Sequence, residues 1–367
     1  MAILGVGLIG GSIGLAARER AGAEVCGYDP DERVRAEALA LGALDTAAGD
    51  LAAAVDGAEV VFAAAPVGAL AEVVTSALEA AGPDCVVSDV GSTKRLLADA
   101  AGDERFIGGH PLAGAETAGV EHARADMFEG ATWYLTPATG ATAGVLYERL
   151  HRLLGRLGAR PVAIDAATHD RMMACVSHLP HVLANLLVDQ AAGVLAGGRP
   201  QAGADGLERL PAVGPSFRDA TRVAGANSAI WTDIYVSNRD ALADGIEQLE
   251  RRLAQVRGWL ADGDAGAVGA WNERARAERD ALLAASLTGA GEREPVHELR
   301  VSVPNRPGVI AEIALALGDA GVNILDLVLS PSPDNSQGVV ALWIAGEQRA
   351  GRAAELVAGL GFPVARA

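Results

Sequence analysis

Residues 5–10 read Gly5-Val6-Gly7-Leu8-Ile9-Gly10, between a short apolar run (residues 2–6) and a helix opening at Gly11-Ser12-Ile13-Gly14-Leu15. That spacing suits a phosphate cradle. Gly5 permits a tight turn, Gly7 lets the backbone approach a pyrophosphate, and Gly10 lets the helix pack against its strand. The helix start adds free N–H groups and the positive end of its dipole. Asp29 ends a second extended run, where a carboxylate accepts from a ribose 2′-hydroxyl and repels a 2′-phosphate. The expectation is a dinucleotide site that takes NAD in preference to NADP. Arg33 and Arg35, just beyond, read as a solvated helix face.

Further polar residues stand where strands end, the edge at which open α/β sheets bind ligands. Pro66 and Asp89 close two such runs and are expected beside the cofactor. Ser92, in Asp89-Val90-Gly91-Ser92-Thr93-Lys94, suits both a helix cap and a cleft hydroxyl. His110 lies between glycines and a proline in Gly108-Gly109-His110-Pro111, a rigid turn that suits a proton-transferring imidazole. Glu116 follows at the expected mouth. Ser177, His178 and His181 share one helical stretch, Ser177-His178-Leu179-Pro180-His181, where Pro180 is expected to kink the helix. The two histidines lack a carboxylate or thiol at matching spacing, so an anion or substrate contact is preferred to a metal. Arg218 and Arg222, in Phe217-Arg218-Asp219-Ala220-Thr221-Arg222, offer a bidentate carboxylate clamp, one of them being an ordinary partner of Asp219. Trp231 reads as helix packing.

The elements that must hold these groups follow from periodicity. Short apolar runs alternate with helices to about residue 165, which predicts an α/β, Rossmann-type doubly wound parallel sheet over 1–165. Residues 166–287 carry apolar residues at three- and four-residue spacing, an all-helical substrate and dimerisation domain. Residues 288–296 read as a linker. Residues 297–367 follow the ferredoxin-like order βαββαβ.

Composition narrows the function classes. The 367 residues carry 47 acidic and 30 basic side chains, a net charge of −17, which disfavours a nucleic-acid partner. No uninterrupted apolar run reaches the roughly 18 residues of a membrane helix. Cys26, Cys85 and Cys175 are far apart and form no CxxC, so they read as small buried residues in a reduced, cytoplasmic protein.

With GVGLIGGS (5–12), DVGSTK (89–94), GGHPLAG (108–114), SHLPH (177–181) and FRDATR (217–222) in place, the chain resembles the prephenate/arogenate dehydrogenase family with a C-terminal ACT domain. The resemblance covers essentially the whole chain. It implies an NAD-dependent oxidative decarboxylation of prephenate to 4-hydroxyphenylpyruvate in a homodimer, or the same chemistry on arogenate to give tyrosine directly. It further implies that His110 bonds the substrate 4-hydroxyl with Ser92 in support. His181 would lie near the pyruvyl side chain with Ser177 and His178 beside it, Arg222 would bind the ring carboxylate, and Glu116 would gate the mouth. In the C-terminal domain Asn305, Gly308, Asn323 and Ile324 match an amino-acid effector site, tyrosine being the natural effector, unless the domain only dimerises. One departure is Gly214-Pro215-Ser216-Phe217, where some members carry a run of glycines. A β-hydroxyacid dehydrogenase is disfavoured because residues 168–287 contain no lysine. A DNA-binding sensor is disfavoured by the charge.

Overall fold

The computed structural model describes residues 1–114, 117–138, 144–197, 213–287, 295–332 and 336–366. Contacts divide the chain into two compact units, Met1–Arg251 and Arg252–Ala367.

The first unit opens with β1 (Ala2–Leu4), α1 (Leu8–Ala21), β2 (Cys26–Tyr28), α2 (Glu32–Ala40), β3 (Thr46–Ala47), α3 (Leu51–Val55), β4 (Val60–Ala63), α4 (Val67–Ala80), β5 (Val86–Asp89) and α5 (Arg95–Ala101). The five strands form a parallel sheet in the order β3-β2-β1-β4-β5. β1, β4 and β5 are buried along their whole length, as a sheet covered on both faces requires. Alternation sends Ile3 and Phe62 into one core, with Ile13 and Trp133, and Leu4 and Val61 into the other, with Leu70 and Val74.

β6 (Gly108–Pro111), β7 (Thr132–Thr136), α6 (Val145–Arg156) and β8 (Arg160–Ala163) come next. The expected parallel sheet through residue 165 divides here. β6 pairs antiparallel with β7, and β7 parallel with β8, as a separate sheet. A bridge between Val87 and Phe106 joins the two. The physical reason lies at Gly109, whose N–H donates to the Asp89 carboxylate (2.9 Å) instead of to a strand carbonyl. A Cβ at Gly109 would stand 2.4 Å from the Asp89 carbonyl oxygen, so only glycine allows this approach.

The helical part follows: α7 (Ala166–Met173), α8 (Leu179–Gly197), α9 (Pro215–Thr221), α10 (Ser228–Ser237) and α11 (Arg239–Asp262). Between α7 and α8 the chain takes one π turn, Ala174–His178. Pro180 has no N–H for the carbonyl four residues back, and the wider turn absorbs the misfit without ending the helix. That turn exposes Cys175, which sequence reasoning expected inside, whereas Cys85 is buried and Cys26 half-buried. The segment Ala166–Val194 meets the length and composition of a bilayer-crossing helix (29 residues, mean hydropathy 1.2), although His169, Asp170 and Arg171 interrupt its apolar run. Its Asp170 and His178 are tied by hydrogen bonds to other elements of the unit.

Gly10 sets the tightest contact of the first unit. A Cβ there would lie 2.0 Å from the Gly5 carbonyl oxygen, so α1 must move if one is added. Gly10→Ala is expected to destabilise the unit by about 1–3 kcal/mol or more and to weaken dinucleotide binding, both read in a thermal melt with and without NAD. An unchanged melt with an unchanged NAD shift would contradict the packing described.

The second unit contains α12 (Ala265–Leu287), β9 (Val296–Pro304), α13 (Val309–Asp319), β10 (Asp326–Pro331), β11 (Gln337–Ala345), α14 (Glu347–Gly359) and β12 (Val364–Arg366). The sheet order is β10-β11-β9-β12, with every neighbouring pair antiparallel. Leu299, Val301 and Val303 alternate inward against Ile313, Leu317 and Val357 of the two helices, the expected βαββαβ core.

Candidate active site

The glycine loop is built as its spacing suggests. Gly5 has φ +95°, and a Cβ there would meet the Ala64 carbonyl oxygen at 2.7 Å. Gly7 is the N-cap of α1, with no side-chain cap and no acidic residue in the first turn. A Cβ at Gly7 would touch nothing within 4 Å, so the space beside the uncapped start of α1 is open there. That cradle fits a pyrophosphate. Asp29 is fixed at the end of β2, accepting from Val6 N–H and Asp31 N–H, each at 3.0 Å. Arg33 pairs with Asp31 at 2.9 Å, and Arg35 donates to the Asp29 carbonyl while lying 5.9 Å from the Tyr28 ring centroid. Both arginines are thus engaged beside the ribose position. Pro66 is exposed at the start of α4, on the same edge.

Asp89 departs from expectation. It is fully enclosed, so its carboxylate does not reach a cofactor. It accepts from Gly91 N–H (2.8 Å) and Gly109 N–H (2.9 Å) and forms an ion pair with Lys94, the one lysine in the sequence. The carboxylate ties the end of β5, the loop to α5 and β6 into one rigid block. Burial pulls the Lys94 ammonium below its ordinary pKa against the attraction of Asp89.

His110, half-buried on β6, stands above this block. Its Nδ1 lies 2.9 Å from His169 Nε2, and His169 Nδ1 lies 2.9 Å from Asp170 Oδ1. The Asp170 carboxylate also accepts from Lys94 N–H (2.8 Å) and Arg95 N–H (2.9 Å). It thereby caps α5 from another helix, the role sequence reasoning gave to Ser92. Ser92 is half-buried in the preceding loop, and the imidazole partner of His110 is His169 rather than Ser92. Burial, then Lys94, His169 and His178, push His110 well below the ordinary histidine pKa, so it is neutral near pH 7. Burial pushes Asp170 up, but hydrogen bonds from His169 and from the Arg95 and Lys94 amides outweigh it and hold the carboxyl below the usual range.

The π turn brings Ser177 and His178 to the same region. His178 Nδ1 accepts from Asn238 Nδ2 at 3.1 Å, and burial lowers its pKa to about 4 against the pull of Asp170. His181 stacks on Trp231 with centroids 3.7 Å apart and planes 9° apart, and Tyr235 hydroxyl bonds its Nδ1. Trp231 therefore serves ring stacking and not merely helix packing. Arg222 is exposed on a single turn, Arg222–Gly225, that packs on α8. Glu116 lies outside the described residues. At the start of α4 the Asp233 carboxylate accepts from Gly68 N–H at 3.2 Å. Sequence reasoning missed His169, Asp170, Tyr235 and Asn238. An adjacent His-Asp pair opening the helix that carries His178 and His181 was the available signal.

In the second unit Asn305 and Gly308 sit in the turn after β9, with Gly308 at φ +87° capping α13. Asn323 and Ile324 precede β10. Because Pro304 pairs with Gln337, whereas Asp326 and Glu298 both pair with Trp343, Asn305 and Asn323 occupy opposite ends of the sheet.

An open glycine-loop cradle and a neutral imidazole on the same strand edge, faced by a helical bundle, define a dinucleotide-dependent dehydrogenase. Three family models match in sequence: the prephenate dehydrogenase nucleotide-binding domain (residues 13–163), the prephenate dehydrogenase dimerization domain (165–271) and the ACT domain (297–354). Prephenate dehydrogenase of Bacillus subtilis (strain 168) is 30% identical over 365 residues, 97% of this chain and 94% of the relative. The crystal structure of Aquifex aeolicus prephenate dehydrogenase with hydroxyphenyl propionate and NAD+ superposes with a TM-score of 0.67 at 28% identity, covering 77% of this chain and 97% of that one. Synechocystis arogenate dehydrogenase gives a TM-score of 0.66 at 26% identity, covering 77% and 99%. The chain belongs to the prephenate dehydrogenase family.

Proposed function

We propose that this chain oxidises and decarboxylates prephenate to 4-hydroxyphenylpyruvate with NAD, in tyrosine biosynthesis. The observation that carries the reading is a neutral His110 with one ring nitrogen committed to His169 and the other left for substrate. Gly5, Gly7, Leu8, Ile9 and Gly10 hold the pyrophosphate and Asp29 the ribose, with Pro66 alongside. Bound NAD supplies the acceptor for the hydride that leaves C4.

His110 Nε2 takes the 4-hydroxyl proton, and the oxygen keeps the bonding pair as the C–O bond becomes double. When the ring–carboxylate bond breaks, its electrons aromatise the ring and the oxygen takes the proton back. No proton is gained or lost overall, so His110 needs no path to bulk water. Ser92 lines this approach. Arg222 meets the ring carboxylate, while Ser177, His178 and His181 face the side chain, with Glu116 at the mouth. In a chain of net charge −17 the attraction for a dianion must be local.

The working parts are residues 1–165, 166–287 and 297–367, joined at 288–296. The chain pairs as a homodimer, supported by the dimerization-domain match and by the exposed Val176, Leu186 and Val194 on the long helix. Asn305, Gly308, Asn323 and Ile324 bind an amino-acid effector, tyrosine. With Asn305 and Asn323 at opposite sheet ends, two copies must combine to surround one ligand. Three free thiols support a reducing, cytoplasmic setting.

The purified chain, offered prephenate and arogenate with NAD or NADP and followed by nicotinamide absorbance, tests this reading. The expected result is fastest turnover with prephenate and NAD, lowered by tyrosine. Turnover of arogenate alone would replace the substrate assigned here. Arg222→Ala is expected to raise the prephenate KM by about 10–100-fold, since a lost charge-assisted bond is worth about 1.5–3 kcal/mol, and to leave the NAD KM unchanged. A rise confined to NAD would refute its placement.

A further inference from the structure

We propose that His169 and Asp170 are positioning residues for His110: the chain Asp170–His169–His110 fixes which nitrogen of His110 is the base and shares the positive charge while the proton is held. This rests on the reading of His110 given above, and it assigns work to two residues outside the motif set.

The tautomers follow from one fixed point. Asp170 Oδ1 and Oδ2 accept backbone N–H bonds from Lys94 and Arg95 and so act as ionised acceptors. His169 Nδ1, 2.9 Å from Oδ1, must then carry its hydrogen, which leaves Nε2 with a lone pair. His110 Nδ1, 2.9 Å from that lone pair, must donate. The remaining nitrogen, His110 Nε2, is therefore the unprotonated one. With both rings neutral, each step has a single solution because a carboxylate only accepts.

The surroundings hold both rings in place. His110 and His169 meet edge to face with centroids 5.1 Å apart, and Tyr134 of β7 packs on His169 at 5.7 Å. The Tyr134 hydroxyl is directed to Met172 Sδ. Asp170 is itself held at the start of α5, and Asn238 Nδ2 bonds its carbonyl at 2.8 Å. The titratable groups facing His110 are Lys94 with its partner Asp89, His169 with Asp170, and His178. When His110 Nε2 takes the substrate proton, its Nδ1–H points to a lone pair backed by the only carboxylate of the set not neutralised by a side-chain cation. The O–H bond breaks, the N–H bond forms, and the charge is spread over two rings and Asp170 until the oxygen takes the proton back.

The test begins with the wild-type protein and needs no substrate. With ¹⁵N-labelled histidine and seven histidines to assign, His110 above its pKa is expected to show a protonated Nδ1 and a bare Nε2, and His169 the same pattern. A protonated His110 Nε2 would overturn the proposal whatever the substrate proves to be. Failure of prephenate turnover with the expected tautomer would instead sink only the substrate reading. His169→Phe keeps the ring packing and leaves the Asp170 cap on α5. It is expected to lower kcat about 100–1,000-fold, with KM values for prephenate and NAD within about threefold, and to let both tautomers of His110 appear in the ¹⁵N spectrum because Nδ1–H loses its acceptor. Wild-type kcat with an unchanged His110 tautomer would overturn the proposal. Should His169→Phe not fold, His169→Leu, which likewise offers no acceptor, is measured in its place, with the same outcomes.

Discussion

His110→Asn lowers kcat by about 100–10,000-fold while the dissociation constant for NAD, measured by fluorescence titration, stays at the wild-type value. The separation is expected because the imidazole sits on β6, whereas the phosphate cradle belongs to β1 and α1. Asparagine retains a polar side chain of similar reach but cannot hold a proton at neutral pH. The pH profile sharpens the result. Burial, reinforced by Lys94, His169 and His178, holds His110 well below the ordinary histidine pKa, and only its neutral form accepts a proton. The wild-type acid limb of kcat/KM therefore falls below about pH 6.5, the unperturbed value, with activity present above it and lost as pH drops through it. In the variant that limb disappears. Wild-type turnover by His110→Asn would remove the residue from the chemistry.

Lys94→Met carries the largest expected cost in stability. Lys94 and Asp89 are both fully enclosed, and removal of the ammonium leaves a carboxylate with two amide donors and no countercharge. Breaking one side of such a pair costs about 3–5 kcal/mol, read as a shift in the urea midpoint of the first transition. Adding Asp89→Asn should recover part of that loss, because the uncompensated charge is then gone. A second readout concerns His110. After burial, Lys94 is the next largest influence pushing that imidazole down, so its removal lets the His110 pKa rise and carries the acid limb to higher pH. Stability within about 1 kcal/mol of wild type, together with an unmoved limb, would show that the pair does not hold the site together.

The relation of sequence to structure differs between the two halves of the site. The cradle is local: Gly5, Gly7 and Gly10 act through their own backbone and the first turn of one helix, so their spacing carries the geometry. The same holds for the alternation of Leu299, Val301 and Val303, which determines one face of the second unit. Ser92 shows the limit of such reasoning. A hydroxyl before a helix is a sound cap by type, yet the start of α5 is capped by Asp170, 76 and 75 positions from the two amides it accepts. Asp89 likewise stands at the expected strand end, but its carboxylate turns inward because the only lysine of the chain is buried beneath it.

The amino-acid order alone determined the three-part plan, the dinucleotide loop, His110 and the histidine helix, because each is specified by neighbours within a few residues and by periodic burial. The tertiary structure decided which groups touch His110. The approach of α7 to the end of β6 brings together side chains 59 positions apart, a distance along the chain across which no local preference acts, and only packing of the helices against the strand edge selects the partner.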